Sequence, residues 1–300
     1  MYKKQMGCYL STSCFGGTTV EDAILRCHAY TPFCVEISAP HVYQSVDALE
    51  IILRNFVEDG FSLTLHNYFP APAHPFVLNI ATSDSLLRSQ AVKLVDSALR
   101  LSIAAGSPLY GIHAGYLANA TAQNDGMFSF DDNALSYNDA LSRAITFVTE
   151  VASNFEKAGV RFIIENLFPS QHAKHSLFCS FDEITEFMNA VPSSVGLLLD
   201  LGHLNISSNI MGFDKMLFLD KFLESYHNRL FQVHLSDNQG LVDEHLSVQS
   251  GNWQLEALKK IQLNSGLSSR SEPIVYCLEA RNSELNDIRS SIDTINEILL

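Results

Sequence analysis

Acidic and imidazole side chains end one apolar segment after another along this sequence. Six segments close in this way, on the residues His66, His113, Glu165, Asp200, His234 and Glu279. The residues before each of them are mostly apolar, a pattern typical of a buried β-strand that reaches solvent at its end. His, Asp and Glu supply the nitrogen and oxygen ligands of divalent metals. One such residue at the end of strand after strand predicts a metal site.

Three of these six side chains are carboxylates, and their repulsion supports the same prediction. If Glu165, Asp200 and Glu279 meet within about 5 Å, each ionised pair repels by roughly 3 kcal/mol at an effective dielectric constant near 20. Three such pairs cost on the order of 10 kcal/mol, which is comparable to the whole stability of a domain. Protons or a cation must offset that cost, and histidines in the same cluster favour a cation.

Two loops add candidate ligands. In LLLDLGHLN, His203 follows Asp200 by three positions, at the start of the predicted loop after the sixth strand. In the segment after His234, the residues Asp243 and His245 are two positions apart, which places both on one side of an extended chain. The alternative for Asp243 and His245 is that they lie in a solvated loop. The alternative for a single His or acidic residue after a strand is that it forms a structural hydrogen bond or caps a helix.

The elements that must position these residues alternate from end to end between short apolar segments and longer amphipathic ones. The predicted strands are Met6–Ser11, Phe33–Ser38, Ser62–His66, Leu109–His113, Arg161–Glu165, Val195–Asp200, Leu230–Leu235 and Ile274–Glu279. The clearest predicted helices are Ser83–Ala105, Ala134–Lys157, Phe181–Ala190, Phe213–His227, Trp253–Gln262 and Glu284–Leu299. This alternation predicts an α/β protein, a (β/α)8 TIM barrel formed as a single domain by residues 1–300. A doubly wound open sheet is the alternative, but no G-x-G-x-x-G follows an early strand.

The longest irregular segments all follow strands rather than helices. They are Asn67–Ala81, Ala114–Asp132, Pro169–Ser180 and Ser236–Asn252. Loops that follow the strands of a TIM barrel lie at one rim, which is where the active sites of such barrels are built. The candidate ligands and these loops are therefore expected at the same end of the barrel.

The composition restricts the class of protein. The 300 residues are 47% hydrophobic, which is enough for a large core, and carry a formal net charge of −14, which argues against a broad phosphate-binding surface. Six cysteines without a C-x-x-C pair suggest a reducing compartment. The first residues make a poor signal peptide and no run of about 18 apolar residues exists, so we expect a cytoplasmic protein that does not enter a membrane.

Several motifs resemble those of the xylose-isomerase-like TIM barrel superfamily. They are IIENL, LLLDLGHLN, CLEAR, the His234–Trp253 segment and the stretch from LNIATSD to YGIHAGY, and the resemblance extends from about Cys8 to Glu279. This superfamily contains sugar isomerases and epimerases, and also the endonuclease IV type of DNA repair enzyme. The resemblance implies that Glu165, Asp200, His234 and Glu279 hold the metal shared by most members. It also implies that Glu165 and Glu279 move protons, as in the epimerase-like members.

Members of the endonuclease IV branch have three zinc ions and nine protein ligands, and this sequence has a match for each ligand. The nine matches are His66, His113, Glu165, Asp200, His203, His234, Asp243, His245 and Glu279. By this resemblance Glu165 would bridge two metals, and His203, Asp243 and His245 would hold the third. Zinc is expected if two or three ions bind, and manganese, cobalt or magnesium if one binds.

Three functions are compatible with these residues. The leading hypothesis is a metal-dependent isomerase or epimerase of a small sugar, polyol or related carbonyl compound. The first alternative is a zinc phosphodiesterase acting on abasic-site DNA, and the second is a metal-binding barrel without catalysis. The segments 67–81 and 114–132 contain no Lys or Arg, which disfavours nucleic acid as the substrate. Ketose epimerases have an Arg that clamps a sugar hydroxyl, and Ser236–Asn252 contains no such Arg. The expected partner is a small molecule, and the sequence leaves the oligomeric state open.

Overall fold

Eight parallel strands close into a barrel in the computed structural model, which describes residues 7–122, 128–170, 175–267 and 272–300. The barrel strands are β1 (Tyr9–Ser11), β2 (Cys34–Ile37), β3 (Ser62–His66), β4 (Leu109–His113), β7 (Arg161–Glu165), β8 (Gly196–Asp200), β9 (Leu230–Leu235) and β10 (Val275–Leu278). Their order around the barrel is β1-β10-β9-β8-β7-β4-β3-β2. The predicted (β/α)8 TIM barrel is confirmed, and only Met6 of the predicted strands lies outside the described residues.

Helices connect successive barrel strands. Those of the described residues are α1 (Val20–His28), α2 (Val46–Glu58), α3 (Ser85–Ala104), α4 (Tyr137–Ala158), α5 (Phe181–Ala190), α6 (Leu201–Met211), α7 (Lys215–Tyr226), α8 (Trp253–Leu267) and α9 (Leu285–Leu299). The six predicted helices are all present, with ends that differ by a few residues. The sequence reading missed α1 and α2, whose N-termini are capped by the side chains of Thr19 and Ser45. No helix of the described residues is long and apolar enough to cross a membrane.

Helix α6 corrects the prediction that His203 lies in a loop. The helix begins directly after Asp200, whose Oδ1 accepts a hydrogen bond from the backbone N–H of His203 at 2.7 Å. A carboxylate at this position satisfies an N–H group that the first turn of a helix leaves unpaired. Leu201, Leu204 and other residues around the helix are buried. Because α6 is covered on most sides, it lacks the one-sided apolar pattern by which helices are recognised.

The register of the parallel strands aligns their carboxyl ends at the same height along the barrel. Within the parallel ladders, His113 is paired with Glu165 and Asp200 is paired with His234. Glu279 directly follows β10, and its backbone N–H donates to Leu235 O at 2.9 Å. Side chains that end neighbouring strands therefore meet at one rim of the barrel, as the loop pattern of the sequence predicted.

The described parts of the segment after β4 form strands that the sequence did not predict, and residues 123–127 of this segment lie outside the described residues. It was expected to be irregular from Ala114 to Asp132, but it contains an antiparallel pair, β5 (Ala120–Ala122) with β6 (Phe128–Phe130). The rings of Phe128 and Phe130 pack against Tyr116, with centroids 5.9 and 5.5 Å away. Packing of these partly buried rings against the buried Tyr116 stabilises the pairing of two short strands that would be marginal alone.

Candidate metal centre

The nine candidate ligands predicted from the sequence all lie at the carboxyl rim of the barrel. Glu165, Asp200 and His234 are at most 1% exposed. His113 and Asp243 are partly exposed, and the remaining four are buried. Buried charges persist only when they are paired or bind metal. The structure groups the nine residues into three neighbouring clusters.

The first cluster surrounds one ring nitrogen of His234. His234 Nδ1 lies 3.4 Å from Glu279 Oε2, 3.8 Å from Glu165 Oε1 and 3.8 Å from Asp200 Oδ2. Neither His234 Nδ1 nor Asp200 Oδ2 forms a hydrogen bond, although both atoms are buried. Ligand atoms of Glu165, Asp200 and His234 lie within 4.8 Å of one another. Converging buried ligand atoms without hydrogen-bond partners fit a divalent cation.

The ionisation of Asp200 reflects this crowding. Burial, together with the charges of Glu165 and Asp243, raises the pKa of the Asp200 carboxyl to about 6, although His203 and His234 act in the opposite direction. Burial contributes most to this raised pKa and the two carboxylates add to it, so Asp200 ionises less readily than an exposed carboxyl group. A bound cation would favour the ionised form of Asp200.

The second cluster pairs two histidines with a single oxygen of Glu165. His66 Nε2 is 2.8 Å and His113 Nε2 is 3.3 Å from Glu165 Oε2. Although burial raises the pKa of Glu165, the adjacent histidines lower it to about 2. Burial lowers the pKa of His113 to about 4, so its ring is neutral near pH 7, which is the form that binds metals. Tyr116 Oη lies 3.0 Å from His113 Nδ1 and orients the ring.

Glycine at position 111 lets the His66 ring lie against the barrel wall. A Cβ atom on Gly111 would lie 2.9 Å from His66 Cδ2 and 3.1 Å from Leu198 Cδ1. The first distance is too short for a carbon–carbon contact, so any larger residue would displace the imidazole. Glycine is therefore required here by close approach and not by an unusual backbone angle.

The third cluster joins His203 and His245 through Asp243. Asp243 Oδ2 lies 2.5 Å from His245 Nε2 and 3.6 Å from His203 Nε2, while its buried Oδ1 forms no hydrogen bond. His203 Nδ1 is 2.7 Å from Asn166 O, and His245 Nδ1 is 3.2 Å from Glu279 O. Because each Nδ1–H donates to a backbone carbonyl, each Nε2 is directed at Asp243. Histidine ligands of metals are oriented in the same way.

The backbone at His245 is held in an uncommon conformation. Its φ of 49° lies in the left-handed region, which residues other than glycine rarely adopt. Mutual backbone hydrogen bonds of 2.8 and 2.9 Å between Asp237 and Leu246 stabilise the segment beside it. Such conformations cost about 1–3 kcal/mol and cluster at functional sites. His245 is also buried, so the solvated loop considered as the alternative for this segment does not apply to it.

One buried acidic residue beside the site was missed by the sequence reading. Glu36 on β2 is 0% exposed, and its Oε2 lies 3.1 Å from His234 Nε2. Glu36 is not the last residue of its strand, because Ile37 follows it in β2, so the pattern of polar strand ends does not include it. The available signal was a carboxylate inside an apolar segment, which is unusual for a buried strand.

Aromatic rings border the candidate metal centre. The Phe168 ring lies 4.8 Å from that of His203, and the Tyr68 ring lies 5.9 Å from that of His113. Phe168 and Tyr68 are both half-buried residues. Rings at this position offer apolar contact area beside a strongly polar centre.

A family model and a curated protein match most of this chain. The family model described as xylose isomerase-like TIM barrel matches residues 33–298. An uncharacterized protein of Methanocaldococcus jannaschii is 24% identical over 222 residues, which cover 74% of this chain and 74% of that protein.

Two solved structures share the fold. A D-tagatose 3-epimerase-like protein superimposes with a TM-score of 0.74 at 18% identity, covering 98% of this chain and 97% of that chain. The 3-keto-D-glucoside 4-epimerase YcjR of E. coli superimposes with a TM-score of 0.68 at 11% identity, covering 98% of both chains. At these identities the likeness concerns the fold.

Proposed function

The chain belongs to the xylose isomerase-like TIM barrel family, and we propose that it is a divalent-metal-dependent sugar isomerase or epimerase. The observation that carries this proposal is the convergence of Glu165, Asp200 and Glu279 on His234 Nδ1, within 3.4–3.8 Å. The names of the two structural neighbours support a sugar as the substrate class, because one is a 3-keto-D-glucoside 4-epimerase and the other is similar to a D-tagatose 3-epimerase.

The metal would be held by Glu165, Asp200, His234 and Glu279. A divalent ion supplies Lewis acidity, which polarises a carbonyl and a neighbouring hydroxyl and makes the adjacent C–H bond easier to deprotonate. The buried atoms Asp200 Oδ2 and His234 Nδ1, which have no hydrogen-bond partner, fit this role. Zinc, manganese, cobalt and magnesium are the candidate ions.

Glu165 and Glu279 would transfer the proton. They come from β7 and from the end of β10, and the strands β8 and β9 separate them in the barrel. They therefore approach His234 from two sides, so one carboxylate would take a proton from one face of the substrate carbon. The other would return a proton to the opposite face of the enediolate, which inverts that carbon.

Neighbouring side chains orient these two carboxylates. Ser11 Oγ donates to Glu279 Oε1 at 3.2 Å, which leaves Oε2 directed at His234. His66 Nε2 holds Glu165 Oε2, which leaves Oε1 directed at His234. Each glutamate thus has one anchored oxygen and one oxygen that faces the centre, an arrangement suited to a positioned acid or base.

The rim favours a small neutral substrate. The segments 67–81 and 114–132 lack Lys and Arg, which would bind phosphate groups. Tyr68 and Phe168, which are half-buried beside the candidate site, would instead provide apolar surface for the C–H face of a sugar or polyol. We therefore expect unphosphorylated carbohydrates to be preferred over sugar phosphates.

A second candidate function is favoured by the third cluster. His203, Asp243 and His245 complete a nine-ligand set of the kind that the endonuclease IV type of phosphodiesterase uses for three zinc ions. Clustered zinc ions supply an activated hydroxide and stabilise a leaving oxygen. The net charge of −14 and the absence of basic residues from two rim segments weigh against a DNA substrate. A metal-binding barrel without catalysis is the third candidate.

Proton exchange with solvent tests the first proposal directly. The protein, loaded separately with Mn²⁺, Co²⁺ or Zn²⁺, is incubated in D₂O with a panel of free ketoses and aldoses and their phosphates. We expect deuterium next to the carbonyl of at least one free sugar, detected by NMR and abolished by a chelator. Absence of exchange across the panel, with chelator-sensitive cleavage of a phosphodiester, would replace the first candidate by the second.

A further inference from the structure

Glu36 makes three polar contacts in the barrel interior. Gln232 Nε2 donates to Glu36 Oε2, which also lies 3.1 Å from His234 Nε2. Cys277 Sγ donates to Glu36 Oε1 at 3.4 Å. Glu36, Gln232, His234 and Cys277 are all 0% exposed. The carboxylate of Glu36 is therefore enclosed by protein, and both of its oxygens have polar contacts.

These contacts determine which ring nitrogen of His234 carries a proton. The amide Nε2 of Gln232 only donates hydrogen bonds, so Glu36 Oε2 is an acceptor. An acceptor at 3.1 Å from His234 Nε2 requires a hydrogen on that nitrogen. When one ring nitrogen of a neutral histidine carries the proton, the other carries the lone pair. In His234 that other nitrogen is Nδ1, the atom that faces Glu165, Asp200 and Glu279.

We infer that Glu36 is a positioning residue that holds the Nδ1 lone pair of His234 towards the metal. It accepts the Nε2 hydrogen of His234 from across the barrel, since β1 and β10 separate β2 from β9. The inference rests on the proposed metal site formed by Glu165, Asp200, His234 and Glu279. Partners of this kind fix the ring orientation and protonation of histidine ligands and strengthen metal binding.

The competing role for Glu36 is direct metal ligation. Ligand atoms of Glu36, His66, His234 and Glu279 lie within 4.8 Å of one another, so these four residues could themselves hold an ion. The contacts of Glu36 favour positioning, because Gln232, His234 and Cys277 occupy both carboxylate oxygens with donors. The two roles predict different metal stoichiometries.

A Co²⁺ titration of the full chain separates the roles. Affinity and stoichiometry are measured by chelator competition and by the visible absorption of bound Co²⁺, for the wild type, Glu36→Gln and Glu183→Gln. Glu183 in the first turn of α5 is the matched control, because it is also a buried glutamate, but its carboxylate accepts a hydrogen bond from the backbone N–H of Cys179. We expect Glu36→Gln to bind the same number of ions with an affinity 10- to 100-fold lower. Glu183→Gln should bind Co²⁺ as the wild type does.

A double-mutant cycle tests whether Glu36 acts through His234. In the background of His234→Gln, the further change Glu36→Gln should leave Co²⁺ affinity unchanged within about twofold. An equal loss in both backgrounds would show that Glu36 acts without His234 and would overturn the inference. Loss of one ion per chain in Glu36→Gln would also overturn it, by making Glu36 a ligand.

The ring protonation of His234 provides a measurement that needs no Glu36 variant. In the Zn²⁺-loaded wild type with ¹⁵N-labelled histidine, NMR should show hydrogen on Nε2 of His234 and metal at Nδ1, with the signals assigned by their loss in His234→Gln. The opposite arrangement overturns the inference even if Glu36→Gln fails to fold. Normal Co²⁺ binding by both the wild type and Glu36→Gln contradicts this inference alone. A wild type that binds no Co²⁺ contradicts the proposed function as well.

Discussion

His66 and Glu165 meet across the strand that separates them, with His66 Nε2 2.8 Å from Glu165 Oε2. His113, from the intervening strand β4, lies 3.3 Å from the same oxygen. The other oxygen, Oε1, lies 3.4 Å from His203 Nδ1 and 3.8 Å from His234 Nδ1. Glu165 therefore connects the three clusters, and the proposed metal site has to be tested as one connected group of residues.

Purified protein should contain tightly bound divalent metal, measured by elemental analysis. Binding at a ligand concentration 1,000 times the dissociation constant stabilises the folded state by about 4 kcal/mol, so in a chain of this length a chelator should lower the melting temperature by roughly 6 °C. One ion per chain favours the mononuclear isomerase site, and two or three favour the multinuclear site. A metal-free preparation whose melting temperature does not respond to Zn²⁺, Mn²⁺ or Co²⁺ would contradict the central proposal.

Glu279→Gln should abolish turnover while the fold remains intact. The substitution keeps the size of the side chain but removes the charge proposed to bind metal and accept a proton, and such groups contribute about 10²- to 10⁴-fold to rate. Turnover is compared with that of Glu244→Gln, a control on the loop after β9 whose carboxylate accepts from the backbone N–H of Gln239. Activity of Glu279→Gln within a few-fold of the wild type would show that Glu279 is neither ligand nor base.

Duplex DNA with an abasic site should not bind saturably at physiological salt. Binding to DNA depends on cations that replace the counterions of the phosphates, and two of the long rim segments contain no Lys or Arg. Fluorescence anisotropy of a labelled duplex measures the binding, and gel analysis detects any incision. Incision above background that a chelator abolishes would promote the phosphodiesterase to the leading function.

The double variant Asp243→Ala with His245→Ala should lose about one metal ion per chain. Tight metal binding depends on three or four protein ligands, and this change leaves only His203 in the third cluster. The site formed by Glu165, Asp200, His234 and Glu279 should remain loaded. Glu244→Gln, a change at the residue between the two, serves as the control. Unchanged stoichiometry in the double variant would give Asp243 and His245 a substrate-binding or structural role.

His41 should make the metal-free protein less stable in acid. Burial lowers the pKa of its imidazole to about 4, compared with 6.5 for an exposed ring. The unfolded chain therefore binds the proton first as the pH falls, so the contribution to stability is complete above pH 6.5 and lost as the pH falls to about 4. The loss should reach about 2 kcal/mol, allowing for the partial exposure of the ring.

Urea unfolding of the wild type and of His41→Gln, both with excess chelator, measures this effect. The difference between their free energies of unfolding isolates His41 from the other titrating groups. Between pH 7.5 and pH 4.5, the free energy of unfolding of the wild type should fall by about 2 kcal/mol more than that of His41→Gln. A difference that does not change with pH would show that His41 does not titrate abnormally.

The sequence by itself determined the barrel and the residues at its rim. An apolar strand that ends in a polar side chain is a local pattern, and the parallel order of a barrel brings all such ends to one rim. His66, His113, Glu165, Asp200 and His234 could therefore be identified from their neighbours in the chain. All eight predicted strands are present with small changes at their ends.

Only the tertiary structure decided how those residues are grouped. Glu36 and His234 are separated by 198 positions, and no local pattern relates their side chains. The same applies to His66 and Glu165, which are 99 positions apart. Such contacts depend on strand register and on ring orientation across the barrel interior. Helix α6 also became evident only in the fold, because packing on most of its sides removes the periodic pattern that marks helices in a sequence.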